Sequence, residues 1–341
     1  MIPLSPDPSL HYEIPRILSA ARYHGADIAE VLQAASSIDH TNLSSQAQAI
    51  DSTRHPVSAR DVFFVRRRTT ALPTFTCTEN PSDSRINELR ELRPGAILAI
   101  YYAADNSSAP KPTVRVGTGY DGSQEEILHV FGFLALERGY NVITYEGPGK
   151  PLVHRTQNLG FITEWEKVVT PVVDYLVLRL DVGALKNRRY RPAAFEHRIV
   201  ATIAVDGIYD LYKAYSRAMP PPMLAALESG ERGKLDDIVR EALASDSIVV
   251  SVRWGIEQGL WSFNVNSASE WMEMTRAITL KGTEHLIQCL IWVGEAESDQ
   301  FFHGQPEKAR DALGDKATYV SLTSKDAAGN HCHVGAQVLL N

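Results

Sequence analysis

The sequence predicts an α/β protein in which helices cover a doubly wound, mostly parallel sheet. From residue 95 onward, apolar runs of strand length alternate with amphipathic runs of helix length, which is the pattern of a parallel sheet. The clearest strand is predicted at residues 285–295, HLIQCLIWVGE. Residues 1–94 carry helical spacing without a clear strand, and they predict a separate N-terminal helical domain.

Each predicted strand is flanked in the sequence by turn residues or by a predicted helix. The other strands are predicted at residues 95–104, 112–118, 141–146, 198–207 and 317–322, with helices over 165–180 and 306–315. The first crossover helix begins at Ser123, where Glu126 completes a capping box. Residues 211–284 turn helical again, and they predict an insertion between a first core part, residues 95–210, and a second, residues 285–341.

The composition excludes several classes of function. Of 341 residues, 34 are Lys or Arg and 41 are Asp or Glu, and a net charge of −7 disfavours binding to nucleic acid or anionic membranes. The sequence contains no apolar run long enough for a membrane span and no secretory signal. Three distant cysteines, Cys77, Cys289 and Cys332, are typical of a reduced compartment. We therefore expect a cytoplasmic protein with a small-molecule partner.

Two residues near the C-terminus are candidates for acid–base chemistry. Asp299 follows one predicted strand, and His331 follows the next, 32 residues later. Ligands bind beyond the carboxyl ends of parallel strands, so both side chains are expected at that edge. A carboxylate that orients an imidazole base is the acid–base half of a hydrolytic triad. The alternative is a surface carboxylate and a loop histidine with no relation to each other.

A glycine-containing loop, Gly119, Tyr120, Asp121 and Gly122, follows another predicted strand and precedes a helix. Backbone N–H groups in such a turn can bind an oxyanion. An ordinary strand-to-helix turn would have the same sequence. The glycines do not follow the G-x-G-x-x-G spacing, so no dinucleotide cofactor is predicted.

Histidine and cysteine also cluster near the C-terminus, at His303, His331, Cys332 and His333. Neighbouring residues of an extended segment point to opposite faces, so these side chains are not expected to share a metal ion. Cys332 is not favoured as a nucleophile, because no base is placed to activate it except the adjacent His331. The sequence contains no G-x-S-x-G motif, so the serine nucleophile is missing.

Seven blocks of the sequence resemble one branch of the α/β-hydrolases. They are GYDGSQEE, LALERGYNVITYEGPG, EWEKVVTPVVDYL, AAFEHRI, VDGIYD, GEAESDQFFHGQP and AGNHC. This branch contains the bacterial 2,6-dihydroxypseudooxynicotine hydrolase and fungal hydrolases of polyketide and pigment clusters, including the enzyme that shortens a heptaketide in melanin synthesis.

The resemblance implies the chemistry of that branch. Its members cleave carbon–carbon bonds next to carbonyls, or esters and amides, of polyketide-derived substrates, and they use Ser, Asp and His without a cofactor. By this resemblance Asp299 is the triad acid and His331 the base, while the loop from Gly119 to Gly122 lies on the oxyanion side. Residues 211–284 form a helical lid. A monomer and a homodimer both remain open.

The chain departs from the branch where the nucleophile is expected. A strand and a serine elbow should stand between the helix at 165–180 and AAFEHRI, and the connector DVGALKNRRYRPAAFEH is too short and too basic to hold them. The central strand and elbow are therefore predicted to be missing, which would leave two buried strand edges and an insoluble or molten chain. A substitute strand at Arg188–Ala194 is disfavoured by its three arginines.

Two further stretches, residues 66–80 and 92–103, also differ from the branch. Internal departures between intact blocks are typical of splice or reading-frame errors. The sequence thus predicts a hydrolase of secondary metabolism. The alternative is a non-catalytic protein that binds a ligand or assists a cyclisation.

Overall fold

The computed structural model describes residues 97–117, 119–187, 192–245, 248, 250–326 and 328–333. The predicted N-terminal helical domain, residues 1–94, lies outside the described residues, and Cys77 lies outside them with it. Among the helices of the described part, none is long and apolar enough to cross a membrane.

Seven strands form one sheet, and the predicted α/β class with a mostly parallel sheet is confirmed. The strands are β1 (Leu98–Tyr102), β2 (Lys111–Gly117), β3 (Asn141–Glu146), β4 (Val182–Asn187), β5 (Ala201–Val205), β6 (Leu290–Ala296) and β7 (Ala317–Leu322). Their order across the sheet is β1-β3-β2-β4-β5-β6-β7. β1 runs antiparallel to β3, and every other neighbouring pair is parallel.

Helices connect the strands and cover the sheet. They are α1 (Gln124–Ile127, continued by the π-helical turn Leu128–Gly132 and by Phe133–Glu137), α2 (Pro151–Gln157), α3 (Glu166–Val177) and, near the C-terminus, α9 (Gln305–Leu313). The Ser123 hydroxyl accepts a hydrogen bond from the Glu126 N–H at 3.2 Å, which confirms the predicted N-cap. The buried Glu146 carboxylate accepts from the N–H groups of Gln124 and Leu152, so one anion stabilises the N-termini of α1 and α2.

The predicted helical character of residues 211–284 is confirmed. This insertion contains α4 (Leu211–Ala218), α5 (Pro221–Ser229), α6 (Arg232–Ala244), α7 (Val250–Phe263) and α8 (Ala268–Thr275). It has its own apolar core, in which the side chains of Trp271 and Met272 are buried. At its N-terminal end, the Asp210 N–H donates to Gln305 Oε1 at 2.8 Å and ties the insertion to α9.

The last turn of α7 packs directly against the loop that precedes α3. The Phe161 N–H donates to the Ser262 carbonyl at 2.8 Å. A Cβ atom on Gly160 would stand 2.3 Å from the Phe263 carbonyl oxygen, so only glycine permits this approach. The insertion is therefore held to the rest of the structure at its N-terminal end and again at the last turn of α7.

The expected gap in the middle of the sheet is wrong, because β4 fills it. Lys111 and Thr113 of β2 pair with Val182 and Leu185, with an irregularity between the two pairs. On the other side, β4 pairs with β5 at two positions. β4 ends at Asn187, and the three arginines of the following segment lie outside the described residues. The expectation of an insoluble or molten chain depended on two unpaired strand edges. β4 pairs on both of its edges, so these unpaired edges do not exist.

The connection from β4 to β5 lacks a helix in its described part. Residues 192–200 contain one 3₁₀ turn, Pro192–Ala194, whose residues are all buried. The prediction that Arg188–Ala194 does not form a substitute strand is confirmed for its last three residues, while residues 188–191 lie outside the described residues. A parallel connection of this kind usually carries a full crossover helix.

Arg115 on β2 is a charged residue that is buried in the interior. Its side chain is 0% exposed, and none of its three guanidinium nitrogens has a hydrogen-bond partner among the residues that the structure describes. Burial lowers its pKa, while the charge of Glu196 partly compensates. A desolvated cation without hydrogen bonds destabilises a fold.

We predict that Arg115→Met raises the free energy of unfolding by about 1–3 kcal/mol, because it removes an unsatisfied buried group. Urea unfolding followed by circular dichroism measures the change. The matched control is Arg198→Met, since Arg198 is half-exposed and bonds Glu196 and Asp174 at 2.6 and 2.8 Å. This control should bring no gain, and a loss of stability in Arg115→Met would contradict the prediction.

Candidate active site

Three side chains meet where the carboxyl ends of β5, β6 and β7 share one edge of the sheet. Asp206 directly follows β5, Asp299 follows β6, and His331 lies in the loop after β7. The His331 Nδ1 donates to Asp299 Oδ2 at 2.9 Å and lies 3.1 Å from Asp206 Oδ2. The structure therefore brings together the two residues that the sequence predicted as an acid–base pair, and it adds a second carboxylate.

The Asp299 carboxylate organises its own loop as well as the imidazole. Its Oδ1 accepts from the N–H groups of Phe301 and Phe302 at 2.7 and 2.9 Å. Burial opposes the ionised form, but the bond from His331 and these two N–H groups outweigh it and hold the pKa of Asp299 below its ordinary value. Asp299 thus remains a carboxylate that orients His331.

Asp206 is buried and lies in a backbone conformation that few residues adopt. Its φ is +52°, a left-handed value that Asp tolerates better than most residues. The turn aims its carboxylate at the loop after β7, where Oδ2 accepts a hydrogen bond from the Cys332 N–H. Asp206 therefore connects the end of β5 to the loop that carries His331.

These surroundings favour the protonated form of His331. The imidazole side chain is 14% exposed. Burial lowers its pKa, but the charges of Cys332 and Asp206 and the hydrogen bonds to Asp206 and Asp299 raise that pKa well above its ordinary value. The base of the site therefore holds a proton readily.

Cys332 occupies the other side of the same imidazole. Its Sγ lies 3.4 Å from His331 Nε2. His331–His333 form a 3₁₀ turn in which Cys332 has a φ of +55°, so the two side chains face each other. The expectation that neighbouring side chains here point apart is wrong for His331 and Cys332, because the segment is a turn and not a strand.

The same geometry bears on metal binding. A nitrogen of His331, a carboxylate oxygen of Asp206 and the Cys332 sulfur all lie within 4.8 Å of one another, and zinc accepts such donors. Metal binding would displace the contacts of the Asp206 carboxylate with the Cys332 N–H and with His331 Nδ1. The acid–base role of the cluster stays a prediction. His303 is exposed and is not part of this cluster.

Aromatic rings surround the imidazole. The rings of Phe301 and Phe302 lie 4.9 and 5.2 Å from the His331 ring. The Phe301 ring lies 6.3 Å from the ring of Trp254 in α7, and the Trp254 ring lies 6.1 Å from the ring of Tyr120. We call this series of rings the aromatic wall. The insertion and the sheet edge together form an apolar, aromatic surface beside the base.

The predicted loop Gly119–Gly122 contributes to this wall through Tyr120. Gln258 of α7 donates to the Tyr120 carbonyl at 3.4 Å, which fixes the loop to the insertion. Burial and the neighbouring Tyr215 raise the pKa of Tyr120 well above its ordinary value, so its phenol stays a neutral donor. Gly119 is exposed, and the oxyanion role of Gly119, Tyr120, Asp121 and Gly122 stays a prediction.

Sequence reasoning missed Asp206 and set Cys332 aside. A signal for Asp206 existed, because an apolar parallel strand that ends in Asp-Gly places a carboxylate at the ligand edge. No sequence pattern predicts the turn at Cys332, because the φ of this residue depends on the contacts of the loop after β7.

The sequence of the chain is similar to those of several fungal hydrolases. The chain is 26% identical to the hydrolyase poxO of Penicillium oxalicum over 394 aligned positions, which cover 96% of this chain and 93% of that protein. It is 27% identical to the α/β-hydrolase psoB of Aspergillus fumigatus, with 91% and 84% covered. The solved 2,6-dihydroxy-pseudo-oxynicotine hydrolase matches with a TM-score of 0.57 and 16% identity, covering 96% of this chain and 81% of that chain. The chain is thus similar to fungal hydrolases and has the α/β-hydrolase fold.

The predicted resemblance is thereby confirmed, and the likeness to the solved structure shows the α/β-hydrolase fold. No family model matches the sequence. The poxO alignment spans 394 positions while the chain has 341 residues, so at least 53 aligned positions have no counterpart in this chain. The predicted internal shortening agrees with this difference.

The raised pKa of His331 predicts that stability falls above neutral pH. The imidazolium contributes its full stabilisation below the unfolded pKa of about 6.5, and this is lost as pH rises through the higher native pKa. Urea unfolding at a series of pH values should show a decline that His331→Asn removes. A decline of equal size in the variant would show that other groups cause it.

The two carboxylates should contribute separately to that pKa. We expect Asp206→Asn and Asp299→Asn each to lower the pKa of His331, because each removes one negative charge beside Nδ1. Titration of the His331 ring protons by NMR measures both shifts. An unchanged pKa in Asp206→Asn would show that Asp206 only supports the backbone of Cys332.

Proposed function

We propose that this α/β-hydrolase cleaves a polyketide-derived, carbonyl-containing substrate in secondary metabolism, by retro-Claisen or ester or amide hydrolysis, with His331 as general base. The observation that carries the proposal is the imidazole held by Asp299 at 2.9 Å at the ligand edge of the sheet. Buried carboxylate–imidazole pairs of this geometry orient the base and stabilise its charged form.

The aromatic wall supports the substrate class. Polyketide-derived rings are flat and conjugated, and they pack favourably in offset or edge-to-face arrangements against rings such as Trp254 and Phe301. The ring of Tyr120 extends the same aromatic surface. The sequence resemblance to hydrolases of polyketide and pigment clusters points to the same chemistry.

The second candidate is a non-catalytic protein that binds such a ligand or assists its cyclisation. Two observations favour it: the sequence has no G-x-S-x-G, and the connection from β4 to β5 has no helix over its described residues 192–200. Removing the nucleophile of a triad leaves only binding and oxyanion stabilisation.

The test is turnover of a panel of aryl esters and aromatic 1,3-diketones, with the released acids measured by mass spectrometry. We expect the wild-type chain to turn over at least one class, and His331→Ala to lower kcat/KM by about 10²–10⁴-fold. The matched control is His303→Ala, because His303 is a nearby exposed histidine outside the cluster, and it should retain activity.

Two outcomes would decide against the hydrolase. Equal activity in the wild-type chain and in His331→Ala would remove the base from the mechanism. Tight binding of a panel member without any turnover would establish the non-catalytic alternative. In that case Tyr120→Phe should still weaken binding if its phenol contacts the ligand.

A further inference from the structure

The site has a base and an acid, but the segment at the family's elbow position cannot supply the nucleophile. After β4 the sequence continues Arg188, Arg189, Tyr190, Arg191 and contains no Ser, Thr or Cys there. A triad needs its nucleophile within hydrogen-bond reach of the imidazole nitrogen that is not directed to the acid. In His331 that nitrogen is Nε2, because Nδ1 is directed to the carboxylates.

The sulfur atom of Cys332 lies close to that nitrogen. Cys332 Sγ lies 3.4 Å from His331 Nε2, a normal distance for a hydrogen bond to sulfur. The thiol is partly exposed, whereas Cys289 is buried on another part of the sheet and faces the Thr202 hydroxyl. The Cys332 N–H is bonded to the Asp206 carboxylate, which fixes the turn that aims the thiol at the imidazole.

We propose that Cys332 is the nucleophile of this site and carries the acyl group of the substrate as a thioester. The proposal rests on the proposed hydrolase function. Asp299, His331 and Cys332 then have the roles of acid, base and nucleophile, with Asp206 as a positioning residue that holds both His331 and the Cys332 backbone. A thiolate beside an imidazolium is a strong nucleophile near neutral pH.

The step balances without any further reactant except water. The thiol proton passes to Nε2, the sulfur attacks the carbonyl carbon, and the C–S bond forms as the C=O π electrons move to oxygen. When the carbonyl re-forms, the bond to the alkoxide, amine or enolate leaving group breaks, and that group takes the proton from Nε2. Water, deprotonated by Nε2, then attacks the thioester, releasing the carboxylic acid and returning the proton to the sulfur.

The test is acylation of the full-length chain by p-nitrophenyl acetate under reducing conditions. We expect a burst of one nitrophenolate per chain and one acetyl group on the peptide that contains Cys332. His331→Ala should slow this acylation about 100-fold. Cys332→Ala should abolish the burst, and the matched control Cys289→Ala should keep it. Peptide mapping of the wild-type chain locates the acetyl group even if a variant fails to fold.

The outcomes separate this proposal from the hydrolase function. Substrate turnover that persists in Cys332→Ala and is lost in His331→Ala would overturn the nucleophile while leaving the hydrolase in place. An acetyl group on Cys332 without turnover of any panel substrate would support the nucleophile and remove the proposed substrate class. Absence of the acetyl group from Cys332 in the wild-type chain would overturn the proposal directly.

Discussion

The whole sheet depends on the hydrogen bonding of one short strand, β4. On one side lie β1, β3 and β2, on the other β5, β6 and β7, and β4 alone joins the two halves. Its six residues pair with β5 at only two positions, so few backbone hydrogen bonds hold the halves in register. Without β4, two strand edges would lie buried and unpaired, at about 1–3 kcal/mol for each orphaned group.

The candidate active site depends on that joint, because its residues follow strands β5, β6 and β7. Parallel strands deliver the residues after their carboxyl ends to one edge, and three successive strands deliver Asp206, Asp299 and His331. Two buried carboxylates then raise the pKa of the imidazole and orient it, while the turn at His331–His333 places Cys332 beside the ring. The insertion completes the surroundings with aromatic rings, and its contacts with the sheet keep those rings beside the base.

The connection at the centre of the sheet is short. The alignment with poxO contains at least 53 positions that this chain lacks. The described part of the connection after β4 holds a single 3₁₀ turn where a crossover helix is usual. Nearby, Arg115 is buried in the sheet without a hydrogen-bond partner in the part of the chain that the structure describes. The centre of the sheet therefore combines a short connection with an unsatisfied buried cation.

The sequence by itself determined the alternating pattern, six of the seven strands, the helical insertion and the pairing of Asp299 with His331. These follow from periodicity and from the rule that ligands meet the carboxyl ends of parallel strands, both of which are local or topological. Only the tertiary structure decided that Val182–Asn187 is a strand, since its weak pattern needs backbone partners on both sides. Only the tertiary structure placed Asp206 beside His331 and turned Cys332 toward Nε2, because both depend on left-handed turns stabilised by contacts between distant segments.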